Sequence, residues 1–330
     1  MYHIYGMFVT STSDSSLTKP GIAVLMLSPV YRGITTHVMQ GFNLSNFCKT
    51  VERERMTIAY FVPPVALALA KAPLVEQFDL KSLRFLFSAA APAPKEVIVA
   101  LHNRVGVPVR QAYGLSEAAP GVSSQRSAAW DKPVGASGRL VPNMSAKIVQ
   151  DDTEVPTRTE GEICLKGPNI FKGYYGNPTA TAQAFDGEGW YRTGDVGRVD
   201  EHGNISITDR LKELIKYNGV QVAPAQLEDV LLGHDAVADV AVIGVYSEAR
   251  ATELPRAYIV VADGHAGDAK LADELQHWLT ERVSPHKKLR GGIRFVEAIP
   301  KSNAGKILRR LLVERAKMEE TREPVEKARL

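Results

Sequence analysis

The chain has 330 residues, 45% of them apolar and 23% charged, enough to bury the cores of two ordinary domains. Its 40 basic and 37 acidic side chains leave a net charge of +3, too slight and too evenly spread to build a nucleic-acid surface, so no nucleic acid is expected as partner. The longest apolar run, Ile22 to Leu27, is far too short for a membrane span, and Cys48 and Cys164 lie in no metal-binding spacing, so they read as buried thiols of a reducing compartment.

Near the start, Thr10 to Gly21 holds seven Ser or Thr in twelve residues and closes on Pro-Gly, the composition of an exposed loop. From Leu44 to about Glu117 helical and extended patterns then alternate. Leu44 to Arg55 is amphipathic, Thr57 to Val62 is a β-branched and aromatic run, and Pro63 to Lys71 opens with proline at a helix start. Leu83 to Ser88 is a second apolar strand, Pro92 to Val105 carries Val97, Leu101 and Val105 on one stripe, and Pro108 to Tyr113 is a third strand. Strands separated by helices call for right-handed crossovers and a parallel sheet, whose ligands sit beyond the carboxyl ends of the strands. Ser88 to Pro92 and Tyr113 to Glu117 fall at two such ends, which makes them site candidates on topology alone.

From Pro133 to about Asp209 glycines and prolines punctuate short strands at Ala146 to Gln150, Glu162 to Lys166 and Asn204 to Thr208, the pattern of a small antiparallel β subdomain. Beyond Lys212 the spacing predicts a helix from Pro224 to Gly233, strands near Val237 to Val245 and Arg256 to Val261, and a helix bearing Leu271, Leu275, Trp278 and Leu279. A strand at Ile293 to Val296 and a terminal helix from about Ile307 complete it. The expected class is α/β. A large domain over 1–211 combines a parallel sheet and helices with an antiparallel subdomain at about 133–209, and an α+β domain follows over 212–330.

Four strings stand out in this frame: Tyr113-Gly114-Leu115-Ser116-Glu117, Tyr191-Arg192-Thr193-Gly194-Asp195, Asp209-Arg210-Leu211-Lys212-Glu213-Leu214-Ile215-Lys216, and Pro300 to Arg310 around Gly305-Lys306. Glu117 offers a hard oxygen ligand after a strand end, suited to Mg²⁺, although a glutamate there would equally favour a helix entry through the macrodipole. Asp195 can accept two hydroxyl hydrogen bonds at once. Lys306 is a cation in a loop, or equally the first lysine of the last helix.

Together and in this order the strings resemble the adenylate-forming superfamily of acyl-CoA synthetases, luciferases and peptide-synthetase adenylation domains. Phe171-Lys172-Gly173-Tyr174-Tyr175 and Lys287 to Gly292 look closest to coumarate CoA ligases. The resemblance implies an acid–thiol ligase that joins a small carboxylic acid to AMP from ATP and then to coenzyme A, with Mg²⁺ at Glu117. It implies adenine beside Tyr113, Gly114 and the segment Ala90-Ala91-Pro92, phosphate near Ser116, and ribose at Asp195 with Arg210. It assigns Lys306 to adenylation, Lys212 to a hinge, and Lys216, Gly219 and Gln221 to the channel for coenzyme A, the two loops alternating by domain rotation. His3, Ala89 and Ala112 would line the acyl pocket, the two alanines narrowing it where coumarate ligases carry glycine.

The family's Ser/Thr/Gly-rich phosphate loop is not found, and Thr10 to Gly21 interrupts a segment that is normally short. The large domain is therefore expected to be partial and truncated at its N-terminus, with a non-catalytic AMP- or CoA-binding remnant as the alternative to a working ligase. The final Ala328-Arg329-Leu330 is a small-basic-Leu triplet of the peroxisomal address type that an import receptor reads, with a charged tail that ends this way by accident, and a cytoplasmic protein, as the alternative.

Overall fold

The computed structural model describes residues 5–9, 27–39, 42–61, 63–88, 93, 95–302 and 306–327. His3, Ala89, Ala90, Ala91, Pro92, the Thr10 to Gly21 stretch, residues 303–305 and the terminal Ala328-Arg329-Leu330 lie outside the described residues. The chain divides into two compact units, one reaching Ile207 and the other running from Thr208 to Ser302 and on from Lys306.

In the first unit β1 (Tyr5–Val9), α1 (Ser28–Arg32), β2 (Thr35–Met39), α2 (Leu44–Glu54), β3 (Ile58–Phe61), α3 (Pro63–Lys71), β4 (Phe85–Ser88), α4 (Lys95–Val105) and β5 (Val109–Gly114) follow one another. The strands lie in the order β2-β1-β3-β4-β5, every adjacent pair parallel. The helices form for local reasons. Asn43 caps α2 by accepting a hydrogen bond from the Asn46 amide at 2.9 Å, and Arg55 ends it with a left-handed backbone. Phe47, Cys48 and Val51 of α2 then pack with Ala66 and Leu69 of α3, Val97, Ile98 and Leu101 of α4, and Ala59, Leu86 and Val109 of the sheet. Removing this apolar surface from water is the main stabilising term of the unit. Cys48 and Cys164 are both buried, as the sequence suggests, and burial pushes each thiol up to about 11, which leaves them unreactive.

The expected antiparallel strands continue this sheet, and the first of them lies before Pro133. β6 (Gly121–Ser124) turns back antiparallel on β5, pairing Ala112 with Ser124 and Tyr113 with Ser123. From β6 the sheet runs on through β7 (Gly138–Leu140), β12 (Asn204–Arg210), β11 (Tyr191–Val199), β10 (Gly161–Lys166), β8 (Ser145–Gln150) and β9 (Thr153–Glu154), with α5 (Pro178–Ala184) between β10 and β11 in sequence. A hydrogen-bonded neighbour on β5 satisfies strand groups that an isolated small sheet would leave at an edge. Tyr113, Val122, Ile148, Ile163, Leu165 and Ile205 form its core.

The second unit contains a hairpin, β13 (Ile215–Tyr217) with β14 (Val220–Val222), then α6 (Pro224–Leu232), β15 (Val237–Ser247), β16 (Thr252–Val261), α7 (Ala269–Thr280), β17 (Ile293–Phe295) and α8 (Arg309–Lys327). β15 and β16 are antiparallel and β17 adds parallel to β16. The period of two separates the faces: Val240, Val242, Ala257 and Ile259 pack with Leu227, Leu231, Leu271, Leu275 and Leu279 from α6 and α7. On the other face Ala241, Ile243 and Tyr258 meet Leu312 and Ala316 of α8.

Among the charges buried in this unit, Glu228 pairs with Arg309. Glu228 on α6 accepts the Val242 amide at 2.8 Å and two bonds from the Arg309 guanidinium at 2.7 and 2.8 Å. Burial outweighs the guanidinium and pushes the Glu228 carboxyl from 4.5 up to about 7. The folded state then keeps a proton that the unfolded chain releases, so this contribution to stability is complete below about pH 4.5 and is lost as pH rises through about 7. Chemical denaturation of the second unit's transition should show unfolding free energy falling by up to about 3 kcal/mol across that window, and by clearly less in Glu228→Gln. An equal slope in both proteins contradicts the assignment.

Candidate active site

The carboxyl end of β5 and the middle of β11 bring two of the sequence-predicted residues into contact. Tyr113 points into the unit's core and its hydroxyl donates to Asp195 Oδ2 at 2.6 Å, both side chains being buried. Asp195 is held from behind as well, because its amide donates to Thr193 Oγ1 at 3.0 Å while that hydroxyl donates to the Ile163 carbonyl at 2.7 Å. Gly194 takes a positive φ of 69°, and its amide donates to Glu162 Oε1 at 3.0 Å. Glu162 in turn receives Arg192, whose other contact is Asp152. Burial, and then the Asp195 charge, push the Tyr113 phenol far above its usual range, so it remains a neutral donor to that carboxylate.

Gly114 has a structural reason of its own. A Cβ at this position would collide with the Pro120 carbonyl oxygen, which already accepts the Leu115 amide at 2.9 Å. Beyond it Ser116, exposed, and Glu117, half-buried, lie on a single 3₁₀ turn, Ser116–Ala118, so the expectation of a helix-entry glutamate is met only by this one turn. Glu117 Oε1 accepts the Tyr174 hydroxyl at 3.1 Å, its backbone carbonyl accepts the Phe171 amide at 2.8 Å, and Asn169 Nδ2 donates to the Ala118 and Gly121 carbonyls. Segment 169–174 is thereby stitched to the turn that carries Glu117. Phe171, Tyr174, Phe185 and Tyr191 stack edge and face around it, with ring centroids 4.9 to 5.7 Å apart.

Among the described residues no group of three His, Cys, Asp or Glu side chains is placed to hold a metal by itself. A lone carboxylate beside phosphate oxygens is the usual way proteins hold Mg²⁺, so Glu117 fits an ion that arrives with a nucleotide.

Ala112 sits half-buried on the sheet face opposite Tyr113, which it shares with Arg110, a residue the sequence did not single out. The Arg110 guanidinium lies 4.9 Å from the Phe85 ring and 5.4 Å from the Phe87 ring, and its Nε donates to the Gln125 carbonyl. Tyr60 on β3 and Phe85 and Phe87 at alternate positions of β4 are the sequence signal for this face.

In the second unit, Lys216 and Gln221 are directly opposed across the β13–β14 hairpin and both are exposed, while Ile215 and Val222 pair on the buried side. The turn between them is Asn218-Gly219, with φ of 47° and 78°, the two left-handed residues of a type I′ hairpin. The expected loop is therefore a hairpin, for which Asn-Gly is the sequence signal. Lys212 is exposed in the 3₁₀ turn Leu211–Glu213, and Arg210 ends β12. Lys306 precedes α8, in a turn where its amide donates to Ser302 Oγ at 3.2 Å and its carbonyl accepts the Ser302 amide at 2.8 Å. It therefore lies outside the final helix, which begins at Arg309 rather than Ile307.

Residues 20–175 match the family described as AMP-binding enzyme, and residues 226–306 match the AMP-binding enzyme C-terminal domain. The chain belongs to the AMP-binding enzyme family. It is 41% identical over 316 residues to 4-coumarate:CoA ligase 1 of Petunia hybrida, covering 94% of this chain and 54% of that protein. It is 40% identical over 296 residues to a probable 4-coumarate–CoA ligase 1 of Dictyostelium discoideum, covering 88% and 53%. The chain thus spans about half the length of the curated relatives it matches. Among solved structures, the anthranilate CoA ligase AuaEII with anthranoyl-AMP superposes with a TM-score of 0.87 at 28% identity, over 97% of this chain and 61% of that one. ATP-bound MatB from Rhodopseudomonas palustris gives 0.85 at 25% identity, over 96% and 60%.

Gly114→Ala should overpack the β5–β6 turn by about 1–3 kcal/mol and lower the first unit's melting temperature by about 3–10 °C with no nucleotide present. Scanning calorimetry of the nucleotide-free protein checks this. An unchanged transition would mean that the glycine is needed only for a ligand.

Proposed function

We propose that this chain carries out the chemistry of an ATP-dependent acyl-CoA or aryl-CoA ligase. The observation that carries the reading is the buried Asp195 carboxylate, bonded by Tyr113 at the end of β5 with Glu117 on the next turn of the same connection. The names of relatives, among them coumarate and anthranilate CoA ligases, support a small aromatic carboxylate as the acid. In the first step the acyl carboxylate attacks the α-phosphorus of ATP, forming acyl-AMP and releasing pyrophosphate. In the second the thiol of coenzyme A attacks the acyl carbonyl, giving the thioester and releasing AMP.

The residues divide this work. Asp195, with Arg210, takes the ribose hydroxyls, and the Tyr113 bond keeps its carboxylate from rotating away. Tyr113 and Gly114, with Ala90, Ala91 and Pro92, border the adenine, and Ser116 meets a phosphate oxygen. Lys306 brings an ammonium to the acyl carboxylate and α-phosphate, where positioning and neutralisation of oxygen charge lower the barrier. Glu117 would hold Mg²⁺, which supplies further neutralisation of phosphate charge when bound. Lys216, Gly219 and Gln221 guide the pantetheine arm, and alternation of their hairpin with the Lys306 loop about Lys212 is the motion this reading requires. Ala112, with His3 and Ala89, sets the size of the acyl pocket.

Purified protein incubated with ATP, Mg²⁺, coenzyme A and a panel of aromatic and medium-chain acids should release pyrophosphate and form thioester with at least one aromatic acid. Lys306→Ala should lower pyrophosphate release by roughly 100-fold or more, the scale of removing one charge-stabilising group. It should leave thioester formation from pre-made acyl-adenylate largely intact. Nucleotide binding without either product would reduce the chain to an AMP-binding remnant, and activity that survives Lys306→Ala would remove that lysine from the mechanism.

A further inference from the structure

The second unit concentrates three carboxylates around one guanidinium. Asp209 is buried, its oxygens accepting the Arg210 amide at 2.7 Å and the Ala225 amide at 3.0 Å. Glu228 is buried against Arg309, and Glu213 Oε2 accepts Arg309 Nη1 at 3.0 Å. Arg309 is thus shared between two of these acids, Glu228 and Glu213. Glu213 is the member whose second oxygen is free of Arg309, and Lys306 Nζ lies 3.9 Å from that Oε1.

The backbone fixes this approach. Lys301 Nζ is bonded to Asp239 at 2.6 Å, Lys301 and Ile307 form a β-bridge, and the Leu308 amide donates to the Pro300 carbonyl at 2.8 Å. The base of the 300–308 loop is therefore clamped from both strands, and Arg309, three residues beyond Lys306, is locked to Glu228. The Lys306 side chain, 41% exposed, is the part of this loop base that can leave, whereas Glu213, at 18%, stays anchored by Arg309.

We propose that Glu213 is a counter-ion that stores Lys306 on its own unit, a positioning residue that sets how much of the time the ammonium is available. This rests on the ligase reading only for its consequence, because an ammonium engaged by Glu213 is not available to an acyl carboxylate and α-phosphate. The storage is weak by construction. A partly exposed pair at this distance biases a two-state equilibrium by a few-fold, enough to hold the lysine and little enough to let an anionic substrate take it.

The test reads the lysine directly. The full chain is treated briefly with an amine-acetylating ester, and acetylation of Lys306 is quantified by mass spectrometry against Lys172, an exposed lysine of the first unit. Glu213→Gln keeps the Arg309–Glu228 pair and should raise the Lys306 to Lys172 ratio about two- to five-fold. The wild-type protein at about 1 M salt, where such a pair is screened, should move in the same direction and covers the case of a variant that does not fold. An unchanged or lower ratio in folded Glu213→Gln, or no salt effect on the wild type, overturns the proposal. In an active preparation the variant should release pyrophosphate faster and make thioester from acyl-adenylate at the wild-type rate, whereas equal loss of both would mark a merely structural glutamate and overturn it. Absence of pyrophosphate from every acid would sink the ligase reading and leave the labelling result standing.

Discussion

The hydrogen bond between Tyr113 and Asp195 is the constraint on which the first unit's candidate site depends. It joins the last strand of the parallel half of the sheet to the middle of the antiparallel half, two segments separated by 82 residues, at a heavy-atom distance of 2.6 Å. A buried carboxylate is costly unless donors surround it. Here the donor is a phenol that burial keeps protonated, and the Gly194 turn behind it is fixed through Glu162 and Thr193. The continuity of the sheet through β5 and β6 is what makes this geometry stiff. A separate β subdomain would have left the aspartate on one body and the tyrosine on another.

The second unit shows a complementary economy of charge. Its core is apolar on both faces of β15 and β16, and the buried Glu228–Arg309 pair sits where the chain beyond Lys306 returns to the body of the unit. Breaking a buried pair by removing one partner is far more damaging than never having built it, so Arg309 and Glu228 define the loop's base as firmly as apolar packing does. The hairpin that carries Lys216 and Gln221 is anchored separately: the Lys216 amide donates to Glu253 and the Asn218 amide to Thr252. Two loops with different expected tasks are thus held by two independent sets of contacts, as functional loops on a rigid scaffold should be.

Much of this was legible in the sequence. Alternating patterns located α2, β3, α3, β4 and β5, because each buries one stripe or one face against a single core. The strand ends after β4 and β5 were marked by topology, although the strand order reverses between β1 and β3, so topology alone would have favoured a different crevice. What was not legible depended on distant partners. No local pattern shows that Tyr113 meets Asp195, that Tyr174 reaches Glu117, or that Glu228 on an apolar helix face awaits Arg309 from α8. Glycine and proline mark the turns of the antiparallel strands without telling which strand lies alongside. The Asn218-Gly219 dipeptide, by contrast, is a local hairpin signal that needs no distant partner.

Calorimetric titration with AMP tests the central claim most directly, since it asks only for the nucleoside anchor and needs neither turnover nor a known acid. The account predicts saturable binding by the wild-type chain, weakened at least tenfold by Asp195→Ala and several-fold by Tyr113→Phe, which removes the hydroxyl that orients the carboxylate. Wild-type protein that binds no AMP, or a folded Asp195→Ala variant that binds it unchanged, would contradict the account.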